Sequence, residues 1–177
     1  MFLLNIRNFL LSKAFFILLI PPSALSSEWD KIQTTLQNPV HITVYRDAHC
    51  QCCHAWIKHL ETHQFEITDR IHPQMAMVKR ELGLPTNMAS CHTAVVEGYV
   101  IEGHVPAEDI KTLVTHKPEN IHGLSVPHMP VGTPGMEMGK RKDPFTVFQF
   151  DKTGNGSAFS HYQVNENNQY DLIDDTP

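Results

Sequence analysis

The sequence predicts an α/β protein built on one mixed sheet, and three observations predict it. Runs of β-branched and aromatic residues alternate with amphipathic ones along the chain, as strands and covering helices do. A strand, a helix and a second strand follow one another so closely that the two strands must be a parallel pair joined by a right-handed crossover. A tight Glu97-Gly98 turn then sits between two short apolar runs, the mark of a hairpin. With 177 residues, 41% of them hydrophobic and 19% charged, the chain has material for one domain with a real core.

The first segment, from Met1 to about Ser26, carries Arg7 and Lys13 ahead of an apolar run from Ala14 to Ile20, then Pro21-Pro22 and small residues. It has no acid, and it reads as a secretory signal cut near Ser26 or Ser27. An uncleaved anchor is the alternative; the short apolar core and the two prolines argue against a full membrane span. Without this segment, 12 basic residues face 19 acidic ones, a formal charge of −7. Such an acidic chain is a poor fit to nucleic acid or anionic membrane surfaces.

Residues 27–39 are short, polar and of mixed propensity, a linker with at most a helical turn. Val40 to Tyr45 reads as the first strand, and the cysteines come directly after it. Ala55, Trp56, Ile57, Leu60 and Phe65 fit a helix of about three turns, with Lys58, Glu61 and Gln64 on its wet side. Phe65 to Asp69 alternates as a second strand. Pro73 opens a second helix carrying Met75, Met77, Val78 and Leu82, and Gly83 with Pro85 closes it. Thr93 to Val96 and Tyr99 to Ile101 form the hairpin. Pro106 starts a third helix, with Glu108 and Asp109 in the first turn and Ile110, Leu113 and Val114 facing inward. The resulting order, β-α-β-α-β-β-α, is the thioredoxin-like one. Beyond it, Gly123 to Gly139 holds three prolines and four glycines around Met129, Met136 and Met138, which reads as a long loop rather than a helix or strand. Phe145 to Phe150 and Ser157 to Val164 form a last hairpin, so the domain runs over 40–164. Residues 165–177 read as a polar, frayed tail.

All four cysteines fall in two places, His49-Cys50-Gln51-Cys52-Cys53-His54 and Ser90-Cys91-His92. Three thiols within four residues cannot all sit in unstrained structural bridges. In an oxidising compartment bare thiols pair, so this cluster is either protected by metal or used in redox turnover. Cys50 and Cys53 have the C-x-x-C spacing at the start of the first helix, where free N–H groups and the helix dipole favour thiolate. Cys52 departs from that pattern, since a third sulfur inside the pair competes for disulfides but suits a group of soft ligands. Cys91 precedes the third strand, where the thioredoxin-like arrangement usually has a cis-proline; in that arrangement the four sulfurs converge. Thiolates select Cu(I) over harder divalent ions and can bridge several coppers.

His49 to Cys53, Ala89 to Ala94, Gly98 to Pro106 and Pro134 to Gly139 together resemble the CopG-like periplasmic copper proteins, long known only as a domain of unknown function and unrelated to the DNA-binding repressor of that name. The resemblance spans roughly Val40 to Phe150. It implies a thioredoxin-like fold, a multinuclear Cu(I) cluster on Cys50, Cys52, Cys53 and Cys91, and a part in copper resistance or homeostasis through interconversion of Cu(I) and Cu(II). It also implies a periplasmic location and partners among copper-handling or efflux proteins. His92, His104, Met136 and Met138 stand near these motifs, as ligands or as supports behind them. His49 and His54 border the cysteines, either exposed or tuning the thiolates. The remaining histidines are scattered and read as structural or solvated.

Two other functions compete. A thiol-disulfide oxidoreductase would use Cys50 as nucleophile and Cys53 to resolve, with Cys52 and the missing proline against it. A structural zinc site is the third, but its sulfurs normally come in paired C-x-x-C turns rather than three plus one. Whether the protein is an enzyme stays open in the sequence, as do catalytic residues.

Overall fold

The computed structural model describes residues 27–173; the segment read as an export signal lies outside the described residues. The element order is β1 (Val40–Arg46), α1 (Gln51–Thr62), β2 (Phe65–Ile71), α2 (Met75–Glu81), β3 (Thr93–Val96), β4 (Tyr99–Glu102) and α3 (Ala107–His116), followed by β5 (Gly123–Ser125), β6 (Phe145–Phe150), β7 (Gly156–Val164) and β8 (Tyr170–Ile173). The mixed α/β class and the predicted β-α-β-α-β-β-α run are both present. The eight strands among the described residues join one sheet in the order β2-β1-β3-β4-β5-β6-β7-β8.

The parallel pair is β1 with β2, in register from Val40 opposite Phe65 to Arg46 opposite Ile71. β3 runs antiparallel to β1 and forms the expected hairpin with β4. The sheet has two working faces because neighbouring strand residues point opposite ways. Ile101 joins the main core with Ile42 and Val44, Trp56, Ile57 and Leu60 of α1, and Ile110 and Leu113 of α3. Its neighbour Val100 packs instead with Leu84, Met88 and Phe150 beneath the segment that follows α2.

Four local expectations change. Phe65 starts β2, while α1 ends at Thr62. Helix α2 begins at Met75 because Gln74, its N-cap, has a non-helical backbone with φ −124° and ψ 67°, which leaves Pro73 outside the helix. Within the stretch read as loop, Gly123–Ser125 is a strand parallel to β4 and antiparallel to β6. Its three residues carry no periodic signal of their own; burial of Leu124 and two flanking strands impose the conformation. Tyr170–Ile173, read as frayed tail, pairs with β7. The segment before β1 also contributes to packing. A 3-10 turn at Glu28–Asp30 sets the Trp29 ring against Phe145, Tyr162 and Tyr170, with centroids 6.0, 5.5 and 5.2 Å away.

Candidate metal centre

Helix α1 starts where β1 leaves the sheet, and Cys50 is its N-cap. The Cys53 amide donates to Cys50 Sγ at 3.3 Å, so the sulfur takes the place that a serine or aspartate oxygen usually fills. Cys50 and Cys53 are joined as a disulfide with Cα atoms 5.3 Å apart, while Cys52 and Cys91 are free. The Cys52 sulfur lies 3.5 Å from that of Cys50. Cys91 arrives from the loop before β3, and the four sulfurs lie within 4.8 Å of one another.

A second set of donors meets at Cys91. Its sulfur is 3.2 Å from His92 Nδ1 and 3.2 Å from His104 Nε2, and all three ligand atoms lie within 4.8 Å of one another. His104 Nδ1 donates to the Pro134 carbonyl at 2.8 Å, which leaves its Nε2 lone pair facing the sulfur. His92 is fully buried, its ring 4.3 Å from Trp56 and 5.0 Å from His104, and its Nε2 has no hydrogen-bond partner. Trp56 closes the site from behind, fixed by its Nε1–H to the Val105 carbonyl at 2.9 Å.

Burial dominates the electrostatics. It pushes the Cys91 thiol up to about 12, with the Cys52 sulfur beside it adding to the shift. It holds His104 down at about 4 and His92 well below the ordinary imidazole range. In the metal-free protein this pocket is therefore a neutral thiol between neutral imidazoles. A soft cation entering it would displace the thiol proton, since thiolates rather than thiols bind metal.

The glycine-rich segment after β5 folds onto the helix start. A Cβ on Gly135 would lie 2.6 Å from the Trp56 amide nitrogen and 3.0 Å from the Cys52 carbonyl, at a positive φ of 82° that glycine accepts readily. The loop is anchored from outside: Trp29 Nε1 donates to the Gly132 carbonyl at 2.7 Å, and the Tyr170 hydroxyl sits 3.1 Å from Val131 O and 2.9 Å from Asp143 O.

The structure thus gathers Cys50, Cys52, Cys53, Cys91, His92 and His104. Met136 is half-buried in the overlying loop, whereas Met138 is 65% exposed. The His49 side chain is 96% exposed beside Asp47, and His54 is exposed. Sequence reasoning missed Glu102 and His59. Fully buried Glu102 accepts from the Ser90 amide and the Thr93 hydroxyl and pairs with Lys79. His59 Nε2 accepts the Ala107 amide at 3.1 Å, supporting the start of α3 where no side chain of the N-cap does so. No spacing rule would have found either residue, because each is defined by partners distant in sequence.

A family described as "Protein of unknown function, DUF411" matches residues 88–136, the part that contributes Cys91, His92, His104 and the overlying loop. No curated protein matches the chain. Two solved structures do. Copper resistance protein copG, form 2, aligns at 46% identity with a TM-score of 0.68, over 71% of this chain and 100% of its own. Form 1 of the same protein aligns at 47% identity with a TM-score of 0.67, over 71% of this chain and 98% of its own.

Proposed function

Because this chain belongs to the family of the copper resistance protein CopG, we propose that it binds copper, with Cu(I) held by Cys50, Cys52, Cys53 and Cys91 in a multinuclear thiolate cluster. The observation that carries this reading is the convergence of four sulfurs within 4.8 Å of one another, backed by two buried imidazoles on the Cys91 sulfur. Thiolates favour Cu(I), and imidazole nitrogens widen the tolerance toward Cu(II). That mixture suits a site that interconverts the two states in copper resistance or homeostasis. Cys50 and Cys53 contribute as ligands once an external dithiol, itself oxidised to a disulfide, has delivered the two electrons and two protons that open their bond into two thiols. The other residues have support roles: Pro134 fixes the tautomer of His104, Trp56 keeps water from His92, and the Gly135 loop covers the start of α1. Export to the periplasm, and exchange of copper with efflux or carrier proteins there, complete the proposal. Among the described residues no helix is long and apolar enough to cross a membrane.

The test is anaerobic titration of the reduced protein with Cu(I) against a competing chelator, reading stoichiometry and thiolate-to-copper absorption. More than one tightly held Cu(I) per chain is expected, with fewer in Cys91→Ser at unchanged circular dichroism. Weak uptake by the reduced protein would sink the reading.

One observation favours a second reading. The Cys50–Cys53 disulfide caps a helix whose first turn opens onto a shallow pocket lined by Arg46, His49, Gln51 and His54, as a thiol-disulfide oxidoreductase would require. Metal-independent turnover of a model disulfide, lost in Cys50→Ser, would favour that activity over copper handling.

A further inference from the structure

We propose that Glu102 is the positioning residue of the metal centre, a buried carboxylate whose two oxygens grip the residues on either side of Cys91-His92 and hold that dipeptide against His104. The inference rests on the copper reading for its consequence and on hydrogen-bond geometry for its substance. Glu102 ends β4 and is fully buried. Its Oε1 accepts the Ser90 amide at 2.5 Å, one residue before Cys91. Its Oε2 accepts the Thr93 hydroxyl at 2.6 Å, one residue after His92. Lys79, reaching up from α2, pairs with Oε1 and donates to Thr93 Oγ1 at 3.0 Å, so the carboxylate is loaded on both oxygens.

The same backbone turn then delivers the third ligand. Gly103, next in the chain, donates its amide to the His92 carbonyl at 3.0 Å, and His104 follows. A Cβ on Gly103 would fall 2.5 Å from the Val126 carbonyl and 2.7 Å from Ser90 Cβ, so the segments carrying Cys91 and His104 pack with no spare room. One carboxylate thereby spans both strand ends that feed Cys91, His92 and His104. A buried carboxylate is costly unless each oxygen is partnered. A core valine or leucine at this position would avoid that cost, and would also leave the Ser90 amide and the Thr93 hydroxyl without an acceptor. Groups that orient ligands from behind are commonly worth 10- to 100-fold in metal affinity.

The experiment compares Glu102→Gln with Lys79→Gln in the reduced full chain. Glu102→Gln keeps the volume but has one accepting oxygen for two flanking donors. Lys79→Gln removes the ammonium from Oε1 and from Thr93 Oγ1 but leaves the carboxylate, with an amide able to donate in its place, so the Ser90 and Thr93 donors keep their acceptor. Each variant is measured for urea stability, for Cu(I) affinity by chelator competition, and for exchange of the Ser90 amide in the metal-free protein. We expect Glu102→Gln to bind Cu(I) about 10- to 100-fold more weakly with a shifted thiolate-to-copper absorption band, and to exchange the Ser90 amide at least about tenfold faster. Lys79→Gln should lose stability at least as much as Glu102→Gln but lose less affinity, with the band in its wild-type position. Should Glu102→Gln not fold, Thr93→Val, which retains the carboxylate and its lysine, is expected to show the same losses at smaller size. Wild-type affinity and band in Glu102→Gln would overturn the proposal, as would losses in both variants that merely track stability. If the wild-type protein takes up no Cu(I), the copper reading fails by itself. The Ser90 amide then decides the remainder, and unchanged exchange in Glu102→Gln overturns the grip as well.

Discussion

Single residues set opposing pH dependences in this protein. His59, on α1, packs against the start of α3, and desolvation there, helped by His63 and Lys111 nearby, holds its pKa down at about 3. Its neutral form is the one that accepts the Ala107 amide. An imidazole depressed in the folded state stabilises the fold fully above its unfolded pKa near 6.5, and that stability is lost as pH falls toward 3. Asp109 has the opposite sign. Burial in α3, with Glu108 nearby, pushes it up to about 6 from 3.8 against the opposing pull of the Ser160 and Tyr162 hydroxyls that donate to it. Its contribution is therefore present below about pH 4 and disappears as pH rises through 6, at about 3 kcal/mol for roughly two pKa units. Melting temperatures of the metal-free protein between pH 3.5 and 7 should show a limb falling toward acid. His59→Ala is expected to flatten that limb and Asp109→Asn to steepen it; equal slopes in all three proteins would refute both assignments. The cysteines were legible at this scale because their chemistry is written in residue type and spacing. His59 and Glu102 were not, since each gains its role from a partner 48 or 12 residues away.

Among the elements, the loop between β5 and β6 depends most on other parts of the chain. It has few backbone bonds of its own, such as Gly132 to Met136 O at 2.8 Å, and takes much of its anchoring from Trp29 and Tyr170. Tyr170→Phe removes both hydroxyl contacts, leaving the Val131 and Asp143 carbonyls without that donor, and should cost about 1–2 kcal/mol. Faster amide exchange confined to residues 131–143 is expected, with β1 and β3 unchanged. Uniform acceleration across the sheet would mean that the loop is not separately anchored. The composition of residues 123–139 marked this segment as unusual, since three prolines and four glycines cannot make a helix. It could not reveal what holds the segment still. The anchors are an indole and a phenol in stretches read as linker and tail, where one aromatic among polar residues carries no periodicity to detect.

Across the whole molecule, the first half of the sheet was readable and the second only in part. Strands β1 to β4 are long or hairpin-linked and rich in Val and Ile, so pattern and pairing agree. β5 and β8 have three and four residues, and each exists because a neighbouring strand offers a ladder. The continuation of one sheet through all eight strands is a tertiary result rather than a sum of local preferences. The two extremities of the described chain also meet. Glu28 accepts the Tyr170 amide at 2.9 Å and forms an ion pair with Lys142. Seen as topology rather than chemistry, residues 27–173 are nearly a loop of string whose two extremities lie side by side. Its order of connection is then open to rearrangement: a circular permutant joining Ile173 to Ser27 through a short Gly/Ser linker, and cut in the exposed turn at residues 152–155, should fold with its cysteines still converging. A permutant that failed to fold would show that the β6–β7 hairpin must be made as one continuous piece before the rest of the sheet can grow onto it.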